Sequence, residues 1–86
     1  MSVESIRKGV EQGQITFGPH LVQRMWENAV SIDQVLDVIA TGTVQKKEKD
    51  ERSQGKFNKF TIVKGKLVVV VKDCDPAFII TANRER

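Results

Sequence analysis

The sequence has no tyrosine, one cysteine, one histidine, one tryptophan and two prolines among its 86 residues. Cys74 alone cannot form an internal disulfide, so nothing points to an oxidising compartment and a cytoplasmic protein is expected. A single histidine and a single cysteine, far apart in the chain, do not make a ligand cluster, so no metal is expected. P-loop, Gly-rich dinucleotide and Ser-His-Asp patterns are missing too, and no cofactor is expected. No run approaches the roughly 18 apolar residues that a membrane span requires. The opening Met1-Ser2-Val3-Glu4 lacks the basic-then-apolar pattern of a signal peptide, so no membrane partner is expected. Repeats, low-complexity tracts and linkers are absent. One domain over residues 1–86 is therefore expected, with a core so modest that a homodimer could add stability.

What is present is uneven in charge. The net charge is +3. Residues 1–45 carry three basic and five acidic side chains, and residues 46–86 carry eleven and six. The first half is thus mildly acidic and the second basic. A basic half suits a polyanion such as RNA. Lysines on exposed strands also serve solubility and block edge pairing.

The hydrophobic period changes near the middle. Ser2 can cap a first helix with Val3, Ile6 and Val10 on one side and Gly13 as its stop. Gln14 to Phe17 reads as a short extended connector. Pro19 suits the first position of a second helix, with Gly18 as its cap. Leu21, Val22, Met25, Trp26 and Ala29 then fall on one side, and His20, Gln23, Arg24, Glu27 and Asn28 on the other. Ser31 and Gln34 form a capping box for a third helix, Val30 can staple onto Val35, and Ile32, Val35, Leu36 and Ile39 make its buried stripe. Gly42 closes it.

From Thr43 the pattern is that of strands. Thr43 to Lys49 reads as a charged edge strand, 50–55 as a polar loop, and Phe57 to Val63 as a strand. Leu67 to Val71 is a β-branched run suited to a central strand, and Phe78 to Asn83 is the last strand. Short connections predict antiparallel pairing. The fold class is therefore α+β: two to three N-terminal helices on one face of a roughly four-stranded antiparallel sheet. Phe78, Ile80 and Ala82 are expected on the helix-covered face with Phe60 and Ile62. The second face mixes Lys59, Thr61, Val68, Val70, Ile79, Thr81 and Asn83. It reads as a binding face, or one covered by a helix or a second copy.

His20 sits in the first turn of its helix, one turn before Arg24, so the two side chains are neighbours. Unpaired N–H groups at a helix start attract anions. A neutral imidazole can act as a general base, and arginine can grip a phosphate through two hydrogen bonds. A surface histidine near a helix start is more often only exposed or a minor cap, and such polar pairs are common. Lys46 and Lys47 form one basic cluster, and Lys56-Phe57-Asn58-Lys59-Phe60 alternates cations with aromatics, which could join phosphate contacts to base stacking. The plainer reading places Phe60 in the core and the lysines in solvent.

From His20-Leu21-Val22-Gln23-Arg24-Met25 onward, the H-x-x-x-R-M element precedes Ser31 to Ile39, Gly42, Lys66 to Val71 and Ile79-Ile80-Thr81-Ala82. This ordered combination resembles a widespread bacterial domain-of-unknown-function family of short proteins, distantly similar to the BrnT and RelE ribonuclease toxins. It covers residues from about Ile15 to Asn83. The resemblance implies a RelE- or barnase-like fold, RNA cleavage without a metal, a basic concave sheet face and inhibition by an antitoxin protein. His20, Arg24 and Thr81 match the family motif and become candidate catalytic residues. Lys56 and Lys59 occupy the basic strand by analogy, with Lys46 and Lys47 as further RNA contacts. The chain departs from such toxins in having no tyrosine and Lys-Phe-Asn-Lys-Phe where arginines or aromatics are usual. A non-catalytic nucleic-acid-binding module and a protein-interaction domain are the alternatives on the same fold.

Overall fold

A computed structural model describes residues 3–51, 57–74 and 76–85, with the side chain of Val3 left aside. Ser2 and the greater part of the 50–55 loop lie outside the described residues. The elements are α1 (Val3–Glu11), β1 (Ile15–Phe17), α2 (Pro19–Glu27), α3 (Ile32–Thr41), β2 (Thr43–Lys49), β3 (Asn58–Lys64), β4 (Leu67–Lys72) and β5 (Ala77–Arg84). The α+β class holds, but the sheet is mixed and five-stranded, in the order β1-β5-β4-β3-β2. The expected connector at Gln14 to Phe17 is the fifth strand. Ile15, Thr16 and Phe17 pair in parallel with Ala77, Phe78 and Ile79. Parallel pairing is possible there because two helices and three strands separate the two segments.

The three C-terminal strands pair as antiparallel neighbours, as their short turns demand. Ile6, Leu21, Val35, Val38, Ile39, Phe60, Ile62, Val69, Val71, Ile79 and Ala82 form the core between helices and sheet. In α3 the buried side is Val35, Val38 and Ile39, while Ile32 is exposed. The stripe is rotated because α3 must meet β3, β4 and α1 together. Its start is as expected: the Ser31 hydroxyl accepts from the Gln34 N–H, and the Gln34 amide oxygen accepts from the Ser31 N–H. Its end is closed from outside. The Arg7 guanidinium donates to the carbonyls of Ile39 (2.9 Å) and Gly42 (2.7 Å), satisfying acceptors that the last turn leaves open and tying α1 to α3. A Cβ at Gly42 would lie 2.8 Å from Ile62 Cγ2, so only glycine lets this turn sit against β3.

β5 breaks the simple alternation. Val70 pairs with Thr81 and Val71 with Ile79, so Ile80 is an extra residue in a β-bulge. Ile79 and Ala82 therefore both point into the core, with Ile80 and Thr81 between them outside it. The expected assignment of Ile79 to the open face, and of Phe78 and Ile80 to the covered face, is reversed for this reason. A second irregularity lies between Val44 and Lys46 of β2.

β1 stops at Phe17, opposite Ile79. Beyond that point α2 takes its place along the edge of β5. At the far end, the Arg84 guanidinium donates to the carbonyls of Asn28 (3.2 Å) and Ala29 (3.1 Å), so α2 and β5 end side by side. A helix laid on a strand edge blocks pairing with other chains.

Candidate functional site

α2 serves three environments at once because it lies on the edge of the sheet rather than over its face. At about 100° per residue, Leu21 and Met25 turn inward. Leu21 is fully buried, and Met25 packs against the core. His20 and Arg24 lie on the flank toward the open face of the sheet. Val22, Trp26 and Ala29 lie on the third flank, and there the expected stripe fails. Val22 is 66% and Trp26 87% exposed. Helical spacing marks an apolar side but not how much of it the fold covers.

His20 and Arg24 line an open cavity of about 710 Å³ with Gly18, Pro19, Lys59, Phe78, Ile80, Thr81, Asn83, Asp50 and Glu51. Four expected site residues, His20, Arg24, Lys59 and Thr81, thus come together from α2, β3 and β5. Gly18 has a local reason: a Cβ there would stand 2.9 Å from the tip of the Phe78 ring, so the bare backbone lets that ring lie against the start of α2. Thr81 is brought outward by the bulge, beside Ile80.

The other candidates go elsewhere. Lys46 is on the open face of β2 but does not line the cavity. Lys47 pairs with Phe60 on the opposite face, and its ammonium lies 5.7 Å from the centre of that ring. That is a cation–π contact shielding the core edge. Lys56 lies outside the described residues.

The open face is not uniformly basic. Glu48 approaches both Lys46 (3.4 Å) and Lys59 (3.7 Å). Asp50 is 5% exposed and holds Lys72 at 3.2 Å. Arg24 has only a loose approach to Glu27, at 4.0 Å. Of the cavity's cations, Arg24 is thus the one least engaged by carboxylates. The strand ends at Lys49 as expected, but sequence reasoning missed the acidic contribution of Asp50 and Glu51, because a loop has no period to show which way it turns. The i, i+2 alternation of Lys46 and Glu48, carried one step past the strand end to Asp50, was the available signal.

Among the described residues, no group of three or more His, Cys, Asp or Glu side chains could hold a metal ion. Likewise no described helix is long and apolar enough to cross a membrane. No known protein family, curated protein or solved structure matches this chain.

Proposed function

We propose that this chain is a ribonuclease of toxin type that cuts RNA by 2′-hydroxyl attack without a metal. The observation that carries the proposal is the convergence of His20, Arg24, Lys59 and Thr81 in one open cavity. Cleavage of this kind needs two proton transfers. A base removes the 2′-hydroxyl proton, that oxygen attacks phosphorus, and the bond to the 5′ oxygen breaks as an acid protonates it. The products are a 2′,3′-cyclic phosphate and a 5′-hydroxyl. One histidine cannot fill both roles in one turnover. Glu51, exposed and lining the same cavity, supplies the second group: Glu51 takes the proton and His20 gives one. Asp50 is less suited, being held by Lys72. Arg24 and Lys59 stabilise the charge that builds on the phosphate oxygens, and Thr81 orients a phosphate or the 2′-hydroxyl. The distant resemblance to BrnT and RelE toxins supports the same chemistry, as analogy of fold.

The direct test is cleavage of cellular RNA by purified protein, beside His20→Ala and Arg24→Ala, with the product ends identified. Cyclic-phosphate ends that disappear in both variants are expected. RNA left intact by the wild type would end the proposal. Salt-dependent RNA binding that survives His20→Ala, without cleavage, would leave a non-catalytic binding module in its place.

One observation favours a partner protein as well, whether an antitoxin or a second copy. Val22, Met25, Trp26, Ala29 and Val30 line a shallow apolar groove on the outward flank of α2, away from the cavity. Light scattering of the wild type beside Trp26→Ser tests self-association. A dimer that becomes a monomer in the variant supports it, and a monomeric wild type rules it out.

A further inference from the structure

The proposed reaction leaves part of its own cavity without a role. His20 and Glu51 move protons, Arg24 and Lys59 meet charge, and Thr81 orients the reacting group. Phe78, Ile80 and Asn83 line the same space and do none of this. The cavity, about 710 Å³, is within the roughly 300–1,000 Å³ that holds a whole small-molecule ligand. A phosphate and a hydroxyl do not fill it. A nucleotide brings a base as well.

Asn83 is the unusual member. Asparagine is disfavoured in strands, yet this one stands inside β5, directly opposite Val68. Ala82 before it is buried, so the half-buried Asn83 turns to the open face. Asparagine side chains commonly bond to nearby backbone, as Asn28 does to the Arg24 carbonyl at 2.8 Å. The side-chain amide of Asn83 has no such bond among the described residues. A donor and an acceptor thus stand free together on the cavity wall.

The strand sets its distance from the chemistry. Asn83 is two residues beyond Thr81 on the same face, about 7 Å along β5, which is the reach from a ribose to the far edge of its base. Ile80, carried outward by the bulge, offers an apolar surface on the same wall. Adenine suits an amide best. It presents a donor beside an acceptor on both its Watson–Crick and its Hoogsteen edge, whereas the Hoogsteen edge of guanine holds two acceptors. A purine also lays more apolar face on Ile80 than a pyrimidine does. We propose that Asn83 reads the base of the nucleotide that supplies the 2′-hydroxyl and selects adenine there. This inference rests on the nuclease reading for the fate of that nucleotide and adds which nucleotide is chosen.

The test uses four short strands of deoxythymidine, each with a single ribonucleotide, A, C, G or U. Only the ribonucleotide can supply the nucleophile, so each strand has one cleavable bond. The wild type should cut the A strand with a kcat/KM about tenfold or more above the others, the worth of one good bidentate pair. Asn83→Leu, of similar size but without the amide, should lower the A strand to the level of the rest and leave the other three unchanged. Equal rates in the wild type, preference for another base, adenine preference that survives Asn83→Leu, or a loss shared by all four strands would overturn the proposal. Cleavage of none would end the nuclease reading instead. Fluorescence anisotropy of the same four strands then decides: tighter binding of the A strand by the wild type but not by Asn83→Leu supports base reading, and equal binding overturns it.

Discussion

The two faces of the sheet are built from the same strands and do opposite things. On the covered face, Phe60 stands opposite Val71, Ile62 opposite Val69, and Val69 opposite Ala82. All five are buried. On the open face, Lys59 stands opposite Lys72, Thr61 opposite Val70, and Val70 opposite Thr81. None of these is fully buried. One bulge in β5 keeps both sets in place, returning Ala82 to the core while leaving Ile80 and Thr81 outside. The core and the candidate site are thus divided by face, with α2 on the boundary supplying Leu21 to one side and His20 and Arg24 to the other.

The division predicts opposite phenotypes. The largest effect is expected from His20→Ala, which should lower RNA cleavage by about 10²- to 10⁴-fold, the usual worth of a proton-transfer group. Denaturant unfolding should move by no more than about 0.5 kcal/mol, because His20 is exposed. Next, Ile79→Ala should destabilise the fold by about 2–5 kcal/mol, as a buried isoleucine loses its contacts. Its neighbour Ile80→Ala, on the other side of the bulge, should cost well under half of that in the same denaturant unfolding. Equal losses at the two positions would mean that the bulge does not separate the faces.

Smaller effects sharpen the contrast in charge. Glu48→Gln releases Lys46 and Lys59 from their shared carboxylate. RNA binding should tighten, and the log–log salt slope should steepen by about one. An unchanged slope would mean that neither lysine reaches the nucleic acid. Stability should respond to pH through two aspartates of opposite sign. Asp37, beside Lys64, has its carboxyl lowered by the hydrogen bond from that ammonium, partly offset by desolvation. It contributes stability above its ordinary range that is lost as pH falls through the lowered value. Asp73 is raised by burial, so it favours the fold most at low pH and that contribution is lost as pH rises through the raised value. Asp73→Asn should therefore flatten the decline in stability on the way up to neutral pH, and Lys64→Met should reduce the loss on acidification, both read from urea midpoints across pH. Last, Ala29 has a φ of 53°, a left-handed conformation that costs a side-chain-bearing residue about 1 kcal/mol. Ala29→Gly should raise the midpoint slightly, offset by the added freedom of the unfolded chain.

Much of this division was legible in the residues themselves. The capping box at Ser31 and Gln34, the start of α2 at Gly18-Pro19, and the inward Phe60 and Ile62 follow from local chemistry, and the structure repeats them. The parallel strand at Ile15 to Phe17 did not follow. Three residues carry no period, and its partner lies some sixty positions away. The bulge at Ile80 was invisible for the same reason, since alternation alone cannot reveal where a strand counts twice. Val22 and Trp26 show a different limit. Their spacing is that of a buried face, but a helix on a sheet edge covers only a narrow stripe, and they fall outside it. For the candidate site, the place of His20 in the first turn of α2 and of Arg24 one turn later was enough to put the two on one flank. The approach of Lys59 and Thr81 to them depended on the sheet, and the carboxylates of Asp50 and Glu51 were hidden in a segment that read as loop.

The central claim is that the open-face cavity uses the 2′-hydroxyl of RNA as its nucleophile. Single-turnover cleavage of a short oligoribonucleotide tests it, beside the same strand with one 2′-deoxy nucleotide at the cleaved position. The ribonucleotide strand should be cut to a 2′,3′-cyclic phosphate while the substituted strand stays intact at that position. Equal cleavage of both strands, or of neither, would contradict it.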